Sequence, residues 1–216
     1  MEDTNIGTID KPKMIKLSKT LSPEVKEKYI HLLSEFSDVF VWDYADLNEY
    51  DKKIIQHTIP SKPNQNPFRK MLRRINPSLL PSIKKEINRL FKAGIIIPFR
   101  FSDWMSNLVP TRKKTEEIRL YVDFKNLNKV SLKYNYLLPK MDNILQGVVG
   151  TSQLSLLDGY SGYNQVLVHE DIQDKTTFTT LWSTFKYEKM PFGLKNAGAT
   201  FQCAMDIAFS NENMFS

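Results

Sequence analysis

Val25, Tyr29, Leu32, Leu33 and Phe36 recur at steps of three and four, the period that lays one face of an α-helix on a core. Ser22-Pro23-Glu24 precedes them. Ser caps, Pro suits the first turn and Glu faces the positive dipole end, so a helix is predicted from Ser22 to near Ser37. A second helical stripe (Ile83, Ile87, Leu90, Phe91) runs within Leu79 to Ala93, with Gly94 as its stop. Pro81 is acceptable there only in the first turn. Beyond Gly94 the period drops to two, which predicts strands at 95–98, 107–111, 118–124, 153–158, 163–169, 176–181 and 184–190. A last helix is expected from Ala197 to Phe209, with Phe201, Ala204, Met205, Ala208 and Phe209 on one face. Residues 1–20 are polar and unpatterned and read as a lead-in, and Val39 to Trp42 as a short extended piece. Residues 60–67 are rich in Pro and Asn, a connector that divides an N-terminal extension (1–60) from the main domain (61–216). Helices among hairpin-connected strands predict an α+β fold.

Composition narrows the class. Of 216 residues, 41% are hydrophobic and 25% charged, and 30 Lys and Arg against 24 Asp and Glu leave a net charge of +6. That balance excludes a collagen-like or wholly disordered chain. No apolar run approaches the roughly 18–20 residues a membrane span needs. The N-terminus is acidic and polar, unlike a secretory signal, so an intracellular place, cytoplasmic or nuclear, is expected. A single cysteine, Cys203, excludes an intramolecular disulfide framework and a Cys-rich zinc site. The three histidines (His31, His57, His169) show no ligand spacing.

The charge is uneven. Asp43, Asp46, Glu49 and Asp51 form an acidic patch, whereas Arg69, Lys70, Arg73, Arg74, Lys84, Lys85, Arg89, Lys92 and Arg100 crowd a later stretch in which Glu86 is the one acid. Such a stretch attracts a polyanion by counterion release, or is a solvated helix face.

Three stretches carry candidate chemistry. Ile118 to Asn128 reads as an amphipathic strand entering a polar turn. That pattern explains Leu120, Val122 and Phe124 but does not require Arg119, whose planar fork suits phosphate oxygens. Leu154 to Gln165 is an apolar strand that ends on Asp158 and turns through Gly159 and Gly162. Asp158 there is either a turn cap or a hard oxygen ligand for Mg²⁺. Met190 to Gln202 is a strand, a Gly turn and a helix that Asn196 would cap, with Phe192 as ordinary packing on the simplest view.

In this order and spacing the three stretches resemble the reverse transcriptase of gypsy-type LTR retrotransposons, particularly those of plants. Ala93-Gly94-Ile95-Ile96, Trp104 to Pro110, and Asn128 to Pro139 ending Tyr136-Leu137-Leu138-Pro139 also match, so the likeness runs from about residue 55 to 209. The part through Phe40-Val41-Trp42 is similar to the segment that joins protease to polymerase. The resemblance implies the fingers and partial palm of a right-hand polymerase, with a mostly antiparallel sheet and packed helices. The reaction it implies is template-directed transfer of a dNTP onto a primer 3′-hydroxyl, with two Mg²⁺ ions about 4 Å apart. It makes Asp158 the first catalytic, metal-binding aspartate and Gly159 the neighbour whose carbonyl reaches a metal. Arg119 and Lys113 would hold the incoming triphosphate, although Glu116-Glu117 stand where the family has a Gly-containing turn. Tyr163 falls at the steric gate against a ribose 2′-hydroxyl. Phe192 and Gly193 lie beside the nucleotide sugar and template base, and Asp123 and Lys125 on the fingers strand that supports the template. The implied partners are an RNA or DNA template-primer, dNTP and the remaining polyprotein parts (thumb, RNase H, integrase).

One departure from the family is large. Its second catalytic element is a Tyr-x-Asp-Asp hairpin beyond the last helix, and no Asp-Asp dipeptide occurs in these 216 residues. Asp206 falls within the last expected helix and is no obvious substitute. The expectation is therefore a fragment, inactive by itself, whose palm sheet exposes an edge. The alternative is a non-catalytic nucleic-acid-binding remnant of a retrotransposon polyprotein.

Overall fold

The computed structural model describes residues 1–112, 118–154 and 159–210. The chain forms two compact units, Met1–Leu47 and Asn48–Ser216.

In the first unit, β1 (Glu2–Asn5) pairs antiparallel with β2 (Met14–Leu17), so the expected structureless lead-in is a hairpin. Its turn is stitched by the Asn5 carboxamide, whose Oδ1 accepts from the backbone N–H groups of Gly7 (2.9 Å) and Lys13 (2.8 Å). A polar sequence hides such a ribbon, because its pairing is carried by backbone and turn chemistry, with little apolar alternation. Helix α1 (Pro23–Glu35) starts as expected: the Ser22 hydroxyl accepts from Val25 N–H at 3.4 Å. The extended piece expected at Val39 to Trp42 is a series of turns and bends, in which the Phe40 and Trp42 rings meet edge to face at 5.9 Å.

The second unit is built on a five-stranded sheet of order β3-β7-β6-β4-β5: β3 (Ile96–Pro98), β4 (Ser106–Arg112), β5 (Ile118–Val122), β6 (Phe178–Thr179) and β7 (Thr184–Tyr187). All its pairings are antiparallel except β4 with β6. Helix α2 (Leu80–Lys92) buries Ile83, Ile87 and Leu90. It stops at Gly94 as expected, where the N–H groups of Gly94 and Ile95 return to the carbonyls of Phe91 and Leu90, each at 3.0 Å. Phe178, Phe185, Tyr187 and Phe124 make an aromatic core, with the Phe178 and Tyr187 ring centres 5.3 Å apart.

Two helices, α3 (Lys125–Val130) and α4 (Met141–Gly147), were not expected from the pattern. The strand expected over 118–124 ends at Val122, and Lys125 opens α3 instead of extending the strand. The reason is local: Phe124 buries its ring, and the Asp123 carboxylate accepts from Lys125 N–H at 3.1 Å, which bends the chain. The strand expected at 163–169 begins as a 3₁₀ turn, Gly162–Gln165, and keeps only single bridges from Leu167 to Lys189 and from Val168 to His57. The strand expected at 153–158 falls largely outside the described residues. Helix α5 (Ala197–Ala208) forms where expected.

The two units divide upstream of the Pro/Asn-rich connector, because residues 48–60 are wired into the second unit. Tyr50 N–H donates to Gln165 O at 2.9 Å, His57 N–H to Leu167 O at 2.8 Å, and the buried Lys189 ammonium meets Glu49 at 3.0 Å. Among the described residues no helix is long and apolar enough to cross a membrane.

Candidate functional site

β5, α3 and the turn between Met190 and α5 converge on one surface. Val122 and Phe124 are buried, which fixes the residues beside them at the rim. The resulting open groove of about 490 Å³ is lined by Val122, Asp123, Phe124, Lys125, Asn128, Lys129, Gly193 and Lys195. Three of these are lysines. Gly193 has a φ of +94°, and a Cβ built on it would meet Val122 O at 3.6 Å and the Phe124 ring at 3.7 Å. There is room for that Cβ in ordinary contact, but at this φ a side chain at Gly193 would strain the turn.

Next to Gly193 stands an aromatic stack. Tyr163 lies against Phe192 with ring centres 4.7 Å apart and planes 27° apart, and against Phe201 of α5 at 5.1 Å. Phe192 keeps 49% of its surface exposed, so an aromatic surface faces outward beside the lysine groove. Close approach at Gly162 makes this possible: a Cβ there would sit 2.7 Å from the Phe201 ring.

Asp123 is partly spent. Lys70 Nζ meets its Oδ2 at 2.5 Å. The Lys70 hydrogen bond, helped by the Lys125 N–H, holds this carboxyl below its ordinary range. Asp123 therefore anchors the 68–71 segment, and the remaining positive charge of the groove comes from α3 and from Lys195, whose ammonium also donates to Ser131 O at 2.9 Å. Arg119 is exposed on β5 opposite Thr111. Gly159 is open, with nothing within 4 Å of a Cβ built on it. Asp158 and Lys113 lie outside the described residues. Thus the structure brings Asp123, Lys125 and Gly193 onto one groove and Tyr163 and Phe192 into one stack, while Arg119 stands farther along β5.

The basic stretch is exposed except at Lys70, and several of its side chains are nonetheless engaged. Arg69 donates to Ser102 O at 2.8 Å and pairs with Asp103, Arg89 reaches Tyr160 Oη at 3.0 Å, and Lys84 sits over the Trp182 ring. Asn196, expected to cap α5, makes no side-chain cap. Its carboxamide is engaged elsewhere, donating to Leu132 O at 2.8 Å and accepting from Tyr134 N–H at 3.0 Å. Asn128, Lys129 and Lys195 were missed by sequence reasoning, since nothing distinguishes them from polar turn and helix-surface residues until the fold juxtaposes them.

Among the described residues no group of three or more His, Cys, Asp or Glu gathers. Asp206 lies within α5 and accepts from Tyr136 Oη and, at 2.9 Å, from Gln202 Nε2.

Residues 111–213 match the family model for reverse transcriptase (RNA-dependent DNA polymerase). The chain is 28% identical over 207 residues to the retrovirus-related Pol polyprotein of transposon 412 of Drosophila melanogaster, covering 93% of this chain and 16% of that protein. It is 37% identical over 84 residues to an RNA-directed DNA polymerase homolog of Oenothera berteroana, covering 39% of this chain and 59% of that protein. The chain thus spans about one sixth of the fly polyprotein. Among solved structures, the prototype foamy virus protease–reverse transcriptase superposes with a TM-score of 0.75 at 19% identity, over 93% of this chain and 29% of that one. A foamy viral protease–reverse transcriptase in complex with an RNA/DNA hybrid superposes with a TM-score of 0.67 at 20% identity, over 93% of this chain and 29% of that one. The fold is that of polymerase fingers and palm, with a mostly antiparallel sheet.

Proposed function

We propose that the chain is a fingers and partial-palm segment of an RNA-directed DNA polymerase, and that it cradles a template-primer and an incoming dNTP. The observation that supports this reading is the meeting, at Gly193, of a three-lysine groove with the exposed face of the Tyr163–Phe192 stack. Lysines neutralise backbone phosphates without reading sequence, and an aromatic face accepts any base or sugar. In this reading Lys125, anchored by Asp123, supports the template. Phe192 and Gly193 border the nucleotide, Tyr163 crowds a ribose 2′-hydroxyl, and Arg119 with Lys113 takes the triphosphate. Asp158 and the Gly159 carbonyl would serve one part of a two-Mg²⁺ centre. With no Asp-Asp pair in the 216 residues to join Asp158, the chain alone does not extend primers. The other parts of a Pol polyprotein are its natural partners.

Two measurements test the proposal. Filter binding of a template-primer across a salt series is expected to show affinity that falls steeply with salt; absence of binding at low salt overturns the reading. Primer extension on oligo(dT)·poly(rA) is expected to be negligible. Robust extension that Asp158→Ala abolishes would overturn the incomplete active site while leaving the polymerase assignment in place.

A further inference from the structure

Two asparagines, 68 positions apart in the chain, form a reciprocal clasp beside the groove. Asn128 of α3 donates from Nδ2 to Gly193 O at 2.7 Å and accepts on Oδ1 from Lys195 N–H at 2.8 Å. Asn196 does the same in the opposite direction, to Leu132 O and Tyr134 N–H. Each carboxamide brackets the other segment's backbone with both of its polar atoms. Lys195 Nζ adds a bond to Ser131 O at 2.9 Å. The turn 193–196 is thereby sewn to 128–134 by five bonds that involve side chains, over sequence separations of 62 to 67 residues.

The turn needs such support. Gly193 sits at positive φ, a conformation glycine reaches but does not prefer over its others. Phe192, immediately before it, presents about half its surface to solvent and is held from one side by Tyr163. Nothing in the local sequence fixes where that ring points. The Asn128 carboxamide grips the backbone on both sides of Leu194, whose side chain is buried, and so holds the segment that directly follows the ring.

We propose that Asn128 is a positioning residue that holds the Phe192–Gly193 turn on α3, so that the outward face of Phe192 and the lysine groove act as one binding surface. The proposal deepens the nucleic-acid reading above and rests on it for its ligand. Asn128 acts through the turn and does not itself touch the ligand. Its carboxamide is consumed by backbone, so its removal changes stacking without changing the number of phosphate-facing lysines.

The test uses the whole 216-residue chain and a single-stranded oligodeoxynucleotide carrying one 2-aminopurine, whose fluorescence is quenched on stacking. Asn128→Ala is expected to lose about half or more of the quench at saturation, while the salt slope of binding, set by the lysines, stays at the unsubstituted value. Asn128→Asp keeps the acceptor for Lys195 N–H and loses the donor to Gly193 O, so it is expected to fall between the two. If Asn128→Ala does not fold, Asn128→Asp decides. Unsubstituted quench in the variant that folds overturns the positioning role, and so does a reduced salt slope with quench intact. Hydrogen exchange without ligand separates the two readings. The Lys195 amide is expected to exchange about two- to tenfold faster in Asn128→Ala, the factor for one lost hydrogen bond. If the unsubstituted chain binds no oligonucleotide, the nucleic-acid reading fails, and an unchanged Lys195 exchange rate would independently overturn the clasp.

Discussion

Helices α1 and α2 are both 13 residues long, both carry proline in the first turn, and both show an apolar stripe at helical spacing. Their fates differ. α2 buries Ile83, Ile87 and Leu90, whereas α1 buries none of its residues and leaves Tyr29 and Leu32, with Phe36 just past its end, about half exposed. The difference lies in what each unit offers as cover. The unit of α2 has a five-stranded sheet, and α2 packs on β3 and β5. The unit of α1 has a two-stranded ribbon, too narrow to cover a helix face, since a lone hairpin is marginal by itself. An apolar stripe thus predicts that a helix wants a partner, and only the rest of the fold supplies one.

The comparison is broken most severely at the centre of α2. Ile83 has no exposed surface. Ile83→Ala is expected to cost about 2–5 kcal/mol of stability, transfer and cavity costs together, read as a fall in the urea midpoint of the sheet-bearing unit. A loss under about 1 kcal/mol would mean that α2 is no better covered than α1.

Acid provides a second, somewhat smaller break in the same unit. His57 is 1% exposed, and its Nδ1 lies 2.9 Å from Thr200 Oγ1. Thr200 can donate its own proton to Asn196 O, so a neutral His57 donates from Nδ1. Burial pushes the imidazole down to about 4 from its ordinary 6.5. The unfolded chain therefore binds this proton first as pH falls. Stability is full above about pH 6.5, is lost progressively toward pH 4, and the loss then levels at about 3 kcal/mol. Urea titrations at a series of pH values are expected to show that slope, and His57→Gln to flatten it between pH 6.5 and 4. An unflattened slope would assign the acid sensitivity to other groups.

What the sequence made legible follows from this physics. α2 was readable because a local period and a covering sheet agree, and β4 because it lies within that sheet; α5 forms over the expected span but buries Ala197, Ala199, Thr200 and Ala204, and Ala208 and Phe209 of the face expected to pack are exposed. α3 and α4 were not readable. α3 is six residues long with one buried side chain, Leu127, and α4 buries none, so neither carries a stripe long enough to count. The β1–β2 ribbon was hidden for the same reason. At the site, Tyr163, Phe192 and Gly193 were legible as parts of known-looking stretches. The roles of Asn128 and Lys195 were not, because a polar residue that grips backbone more than 60 positions away has no local signature. Asn196 was legible in the wrong role. Next to a helix start it reads as a cap, yet the nearby 132–134 backbone competes for its carboxamide and wins.

A smaller effect is expected where the packed unit meets solvent. Lys70 holds the Asp123 carboxyl below its usual range, and the Asp123 side chain retains 39% of its accessible surface. The stabilisation this pair provides is present above the ordinary carboxyl pKa and is lost as pH falls through the depressed one. Lys70→Met is expected to return the carboxyl toward its usual range in a ¹³C NMR titration. The stability cost is expected to stay under about 1 kcal/mol, because solvent reaches the Asp123 carboxylate and screens the pair. An unchanged titration would transfer the cause to the Lys125 N–H.

The least effect is expected on α1. Leu32 is 49% exposed, so truncation removes contacts from only half of its side chain, and Ala is the better helix former by a small margin. Full burial of a leucine is worth about 1.5–3 kcal/mol, so Leu32→Ala is expected to cost about 1 kcal/mol or less, partly offset by propensity. Hydrogen exchange resolved over residues 23–35 should change by less than tenfold, against a much larger change over 80–92 in Ile83→Ala. If Leu32→Ala instead matches Ile83→Ala, something covers the α1 stripe in solution, and the contrast between the two helices would then be one of partner and not of fold.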